Sequence, residues 1–176
     1  MRMPRWRGGL LALSLTTPLS AQGPPSATAP FPEQLRYLLS QASAGFADLR
    51  ADSIGPGMWR ARYLIASNLD SATALAAGSI SELARQHADG RPGKAIVGVF
   101  ALALTAAGDS AVFKQYRELI SAVLPAWQNH SPGGGDWTEC ADPRRGRELI
   151  LSSGRTAAGQ LLLMLSITVH PDGACS

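Results

Sequence analysis

Ala95-Ile96-Val97-Gly98-Val99-Phe100-Ala101-Leu102-Ala103-Leu104 is the stretch on which the fold turns. It holds no charged or hydrogen-bonding side chain. A bilayer span needs about 20 apolar residues, so this run is too short for one. Its Ile, Val and Phe content and its flanking loops read as a buried central strand. A counterpart lies near the C-terminus. From Gln160 to Val169 the sequence alternates, with Leu161, Leu163, Leu165, Ile167 and Val169 on one face. Arg147 to Ser152 precedes it across a turn at Gly154 to Gly159, a hairpin pattern.

Working outward, two segments carry helical spacing. Leu35, Leu38, Leu39, Ala42, Phe46 and Leu49 predict a helix from Pro32 to Arg50, ended by Ser53-Ile54-Gly55-Pro56-Gly57. Phe113, Tyr116, Ile120, Val123 and Leu124 predict a second from Ser110 to Leu124, with Gly108-Asp109-Ser110 as its start and Pro125 as its stop. Met58 to Ile65 switches to a two-residue period, which predicts a half-buried strand. Trp137 to Cys140 reads as a short strand.

Ser71 to His87 reads two ways. Ala72 to Ala76 fits a short strand followed by an irregular turn. Leu75, Ile80, Leu83 and Ala84 fit one face of a helix. The expected architecture is α+β: a small, mainly antiparallel sheet of about five strands with two amphipathic helices on one face. The expected order is α-β-β-β-α-β-β, or the same with a helical segment at 71–88 in place of the second strand. That order is similar to small secretion-chaperone-like α+β folds, a likeness of topology carried by no family motif.

Met1 to Ala21 has the parts of a secretory signal peptide. Arg2, Arg5 and Arg7 precede the apolar Leu10 to Leu15, and a small residue, Ala21, stands before Gln22. The apolar part is too short to remain as an anchor. The expected organisation is a signal peptide at 1–21, a flexible Pro/Gly-rich leader at 22–32 and a single α+β domain at 33–176, exported to the periplasm or secreted.

Charge then bears on function. The chain carries 16 Lys+Arg and 13 Asp+Glu. Cleavage removes three arginines and no acid, which leaves 13 of each. A balanced chain lacks the basic excess of a nucleic-acid binder or of a protein held on an anionic membrane. The two cysteines, Cys140 and Cys175, form an even pair in an exported chain, which predicts a disulfide.

No motif of catalysis stands out. Gly78-Ser79-Ile80-Ser81 lacks the second glycine of a nucleophile elbow. Pro132-Gly133-Gly134-Gly135 lacks the lysine of a phosphate loop. His87, His130 and His170 show no metal-ligand spacing and read as surface residues. Asp136, Glu139 and Asp142 surround Trp137, and Arg144-Arg145-Gly146-Arg147 is a dense basic turn; both read as solvated charge. Trp59, Trp127 and Trp137 read as core or rim packing.

No catalytic residue, cofactor or metal is therefore predicted. The expected function is a non-enzymatic, exported protein-interaction module working through a sheet face or edge and an unknown protein partner. The alternative is a small-ligand or lipid binder, with the apolar runs lining a cavity. A third reading is a hydrolase whose site gathers Asp136, Glu139 and a histidine.

Overall fold

The computed structural model describes residues 23–26, 28–63, 65, 69, 77–86, 90–105, 110–129, 135–142 and 145–171, with the side chains of 139–142 and 145 excepted. Residues 1–21, where a signal peptide is expected, 71–76, His87, His130, Gly133, Gly134, Arg144 and Cys175 lie outside these residues.

Among the described residues the chain forms α1 (Phe31–Ser43), β1 (Arg50–Gly55), β2 (Met58–Ala61), β3 (Gly78–Gln86), β4 (Pro92–Thr105), α2 (Ser110–Val123), β5 (Gln128–Asn129), β6 (Asp136–Asp142), β7 (Arg145–Arg155) and β8 (Leu161–His170). The strands make one antiparallel sheet in the order β1-β2-β3-β4-β8-β7-β6-β5. A helix followed by a four-stranded meander therefore occurs twice. The last strands of the two meanders, β4 and β8, pair at the centre.

The five-strand sheet is thus corrected to eight strands, and the order α-β-β-β-α-β-β to α-β-β-β-β-α-β-β-β-β. The likeness to secretion-chaperone-like folds rested on the shorter order and lapses with it. Over 78–86 the helical alternative at 71–88 is also overturned, since Gly78–Gln86 is a strand along its whole length. Glu82, Leu83, Ala84, Arg85 and Gln86 favour helix locally. Nine cross-strand pairs with β4, from Gly78↔Phe100 to Gln86↔Pro92, override that preference.

β1 was not expected: it starts at Arg50, where the first helix was expected to end, and runs into the segment read as that helix's break. Gly45 (φ 63°) and Phe46 (φ 57°) turn the chain left-handed and end α1 well before Arg50. A 3-10 turn at Ala47–Leu49 then leads into β1. Pro56 and Gly57 (φ 66°) close the β1–β2 hairpin; Pro presets its own φ and Gly tolerates a positive one.

The core lies on one face of the sheet. Leu163, Leu165 and Ile167 of β8, Leu149 and Leu151 of β7, Trp137, Phe100, Leu102 and Ile80 cluster with Leu35, Leu38 and Ala42 of α1 and Ile120 of α2. Each large apolar side chain so buried contributes about 1.5–3 kcal/mol. Phe31 meets Tyr116 edge-on at 4.8 Å, which locks the two helices together. The core-facing residues of the apolar runs at 95–104 and 161–169 are thus committed to packing.

Candidate functional site

The other face of the sheet is where the described structure leaves apolar side chains in solvent. Pleating sends alternate residues there. The strand registers then define two rows that cross six strands, from β2 to β6. One row is Arg60, Ser79, Val99, Ser166, Ile150 and Asp136. The next is Met58, Ser81, Val97, Thr168, Glu148 and Thr138. Leu83 stands on the same face of β3.

Leu83, Met58 and Ile150 are 50%, 41% and 40% exposed, three of the four large apolar side chains so open among the described residues. Between them stand hydroxyls and half-buried valines. One end of the face is closed off. Ala77, Ala101 and Leu162 are buried there and pack with Leu69, Leu104 and Met164.

Charge is sorted across the face. Arg60 and Arg85 lie on the β2–β3 side, and Glu148 and Asp136 on the β7–β6 side. His170 sits between them at the end of β8 and is only 5% exposed, so its expected surface position is corrected. Gly93 opposite Arg85 and Gly146 opposite His170 bring no side chain into the gap. Arg85 Nη1 hydrogen-bonds His170 Nδ1 across β4. A guanidinium only donates, so Nδ1 must accept. The neutral ring then carries its proton on Nε2, which lies 3.6 Å from Glu148 Oε2. The ring thus links β8 to β3 through Nδ1, while Nε2 faces Glu148 of β7 beyond hydrogen-bond range.

Asp136 and Trp137 point to opposite faces of β6. Trp137 points into the core at 1% exposure, while Asp136 belongs to the open face by alternation. Glu139 takes a register position opposite Arg147. Among the described residues His170 faces a carboxylate, that of Glu148. Residues 85, 148 and 170 are remote in sequence, so only the strand order could reveal their meeting.

Arg147, one of the basic turn, is structural. Its Nη1 donates to Leu39 O and Ser43 Oγ, both at 3.4 Å, and its guanidinium lies 5.5 Å from the Trp127 ring centre. Trp59 is covered by Arg50, whose guanidinium is 4.0 Å from the ring centre. Neither tryptophan joins the open face.

Among the described residues no group of three or more His, Cys, Asp and Glu is arranged to hold a metal ion. No helix among them is long and apolar enough to cross a membrane. No family model matches the chain, and no curated protein or solved structure shows significant similarity to it.

Proposed function

We propose that the protein is an exported, non-enzymatic interaction module whose working surface is the open face of the sheet. The observation that carries this reading is that Met58, Leu83 and Ile150 stand exposed on one face of the sheet, between sorted charges. Exposed apolar groups rimmed by polar ones are the composition of protein-binding surfaces. The signal segment at 1–21 delivers the chain to the periplasm or beyond.

A Cys140–Cys175 disulfide belongs to the same reading. Cys140 stands on β6 close to the level of His170, two strands away, a separation of about 10 Å. Cys175 follows His170 by five residues, and five residues reach about 17 Å. The bridge closes a loop of about 36 residues and constrains the unfolded chain by roughly 4 kcal/mol. Alkylation of the exported protein should need prior reduction at both cysteines. Ready labelling of the unreduced, unfolded chain would reject the bridge.

The interaction reading is tested by a photoreactive amino acid at Ile150, compared with one at Ser121 on the exposed side of α2, in the exported chain. The expected result is a discrete protein adduct from position 150 and none from position 121. Equal labelling, or no adduct from either, overturns the assignment of the face.

A further inference from the structure

The open face is not only apolar at its centre; it is matched to itself. We propose that a second copy of this chain docks on it, face to face, about a two-fold axis parallel to the strands. The proposal rests on the reading of this face as a protein-binding surface and names its partner.

The argument is one of charge and register. A two-fold parallel to the strands and midway between β4 and β8 places β2 over β6, β3 over β7 and β4 over β8 of the second copy, because β2-β3-β4-β8-β7-β6 is the order across the face. Arg60 and Asp136 are the two ends of one cross-strand row, each opposite a neighbour in register: Arg60 with Ser79, Asp136 with Ile150. The operation keeps a row at its own level, so each Arg60 comes over the other copy's Asp136. In the second row each Ser81 comes over a Glu148, a hydroxyl donor over a carboxylate. The valines of β4, Val97 and Val99, come over Thr168 and Ser166 of β8, small side chains that allow close approach.

Other placements lose this match. A two-fold perpendicular to the strands sets β2 over β2 and β6 over β6, which opposes like charges at both rims. The sorted charge therefore selects one orientation, as self-complementary interfaces require. Two sheets packed this way lie about 10 Å apart, with mean strand directions well within the roughly 30° of aligned sheet packing.

The area is adequate for a modest complex. Six strands span about 24 Å, and about five residues along each add about 17 Å. Side chains standing from such a patch expose more than its plan area. The plan area of roughly 400 Å² lies below the roughly 600 Å² per partner at which stable specific complexes begin, as in weak, transient pairs. The dimer should accordingly dissociate on dilution. Closing one face with helices and the other with a second sheet also explains why Leu83, Met58 and Ile150 are retained where water would favour polar groups.

The test is sedimentation equilibrium of the exported, disulfide-intact chain with two charge reversals. The wild type should approach twice the monomer mass with rising concentration. Arg60→Glu and Asp136→Arg, each alone, should remain monomeric, since each sets like charges over each other twice. An equimolar mixture of the two variants should recover the dimer, because both trans pairs become attractive again in the heterodimer. Thermal melts of each variant establish that it is folded.

A wild type that stays monomeric overturns the proposal, as does a dimer indifferent to both reversals or a mixture that fails to reassociate. Should the chain be monomeric while position 150 still crosslinks to a different protein, the second copy is wrong and the interaction face stands. Should it be monomeric and position 150 give no adduct, both fall.

Discussion

Gly98 is the tightest point in the central strand. A Cβ there would lie 2.7 Å from Phe100 Cε2 and 2.9 Å from Phe46 Cζ. Those two rings, with centroids 5.7 Å apart, close over the glycine. Gly98→Ala must displace a packed ring, at about 1–3 kcal/mol. Lost freedom in the unfolded chain returns only about 0.4–1 kcal/mol. Urea denaturation should therefore show a net loss of about 1–2 kcal/mol. Gly154→Ala is the control of opposite sign. Its nearest neighbour is Met164 Cε at 3.5 Å, an ordinary contact, so the entropy gain should prevail and the variant should be slightly more stable.

The tyrosines extend the residue-scale account to pH. Burial raises the hydroxyl pKa of Tyr37, Tyr63 and Tyr116; Asp48 adds to the shift at Tyr37, and Tyr37 to that at Tyr63. An unfolded tyrosine titrates near 10. The folded chain thus holds these protons more tightly than the unfolded one. Their stabilisation is complete below about pH 10 and is lost as pH rises through the folded values. Urea midpoints should fall on the alkaline side of about pH 10. Tyr116→Phe should flatten that fall, after allowance for the lost Tyr116 Oη to Leu102 O bond of 3.3 Å. A midpoint flat across this range would reject the assignment.

At the scale of elements, α1 is instructive because its C-terminal end is held from both sides. Arg147 of β7 reaches Leu39 O and Ser43 Oγ in its last turns. Arg50 of β1 bonds Gly45 O at 3.1 Å just beyond and Glu82 at 2.9 Å. Cations at a helix C-terminus satisfy its orphan carbonyls and its dipole. Arg147→Ala should cost about 1 kcal/mol, from the dipole contact and the stacking on Trp127 together. Hydrogen exchange should rise in the last turn of α1 before it rises in β8. Uniform loss of protection would show that Arg147 supports the sheet instead.

The same scale shows what was legible in the sequence. α1, α2, β4 and β8 carry long periodic or continuous apolar patterns. α2, β4 and β8 were placed within a few residues, and α1 was started correctly but ends seven residues before the expected Arg50. β1 is Arg50-Ala51-Asp52-Ser53-Ile54-Gly55, an exposed edge strand with bulges, which has no buried face to pattern it. β5 is two residues long. β3 is spelled in helix-favouring residues and owes its form to β4. The open face was legible only as an expectation that some face would be free. Which residues compose it depends on the register of β3, the element that misled most. His170 looked like a surface residue because its cover comes from Arg85 and Glu148, on strands that no local pattern links to it.

For the whole molecule, the repeated helix-and-meander plan invites the idea of two autonomous halves, joined between Thr105 and Ser110. The packing argues otherwise. α1 of the first half lies on β8 of the second, and its C-terminal end is tied to Arg147, again of the second. The main cluster mixes Leu35, Leu38 and Phe100 with Leu149, Leu163 and Leu165. The β4–β8 pairing runs from Ile96↔Val169 to Thr105↔Leu161, so separation would bare two long hydrophobic edges. A unit that folds alone needs its own core, and neither half has one. Chains cut in the segment between β4 and α2 should each lack a cooperative melt, and mixing them should restore one, with native-like circular dichroism. Cooperative unfolding of either half by itself would mean that the seam joins two finished domains, and that the exchange of α1 contacts across it adds nothing essential.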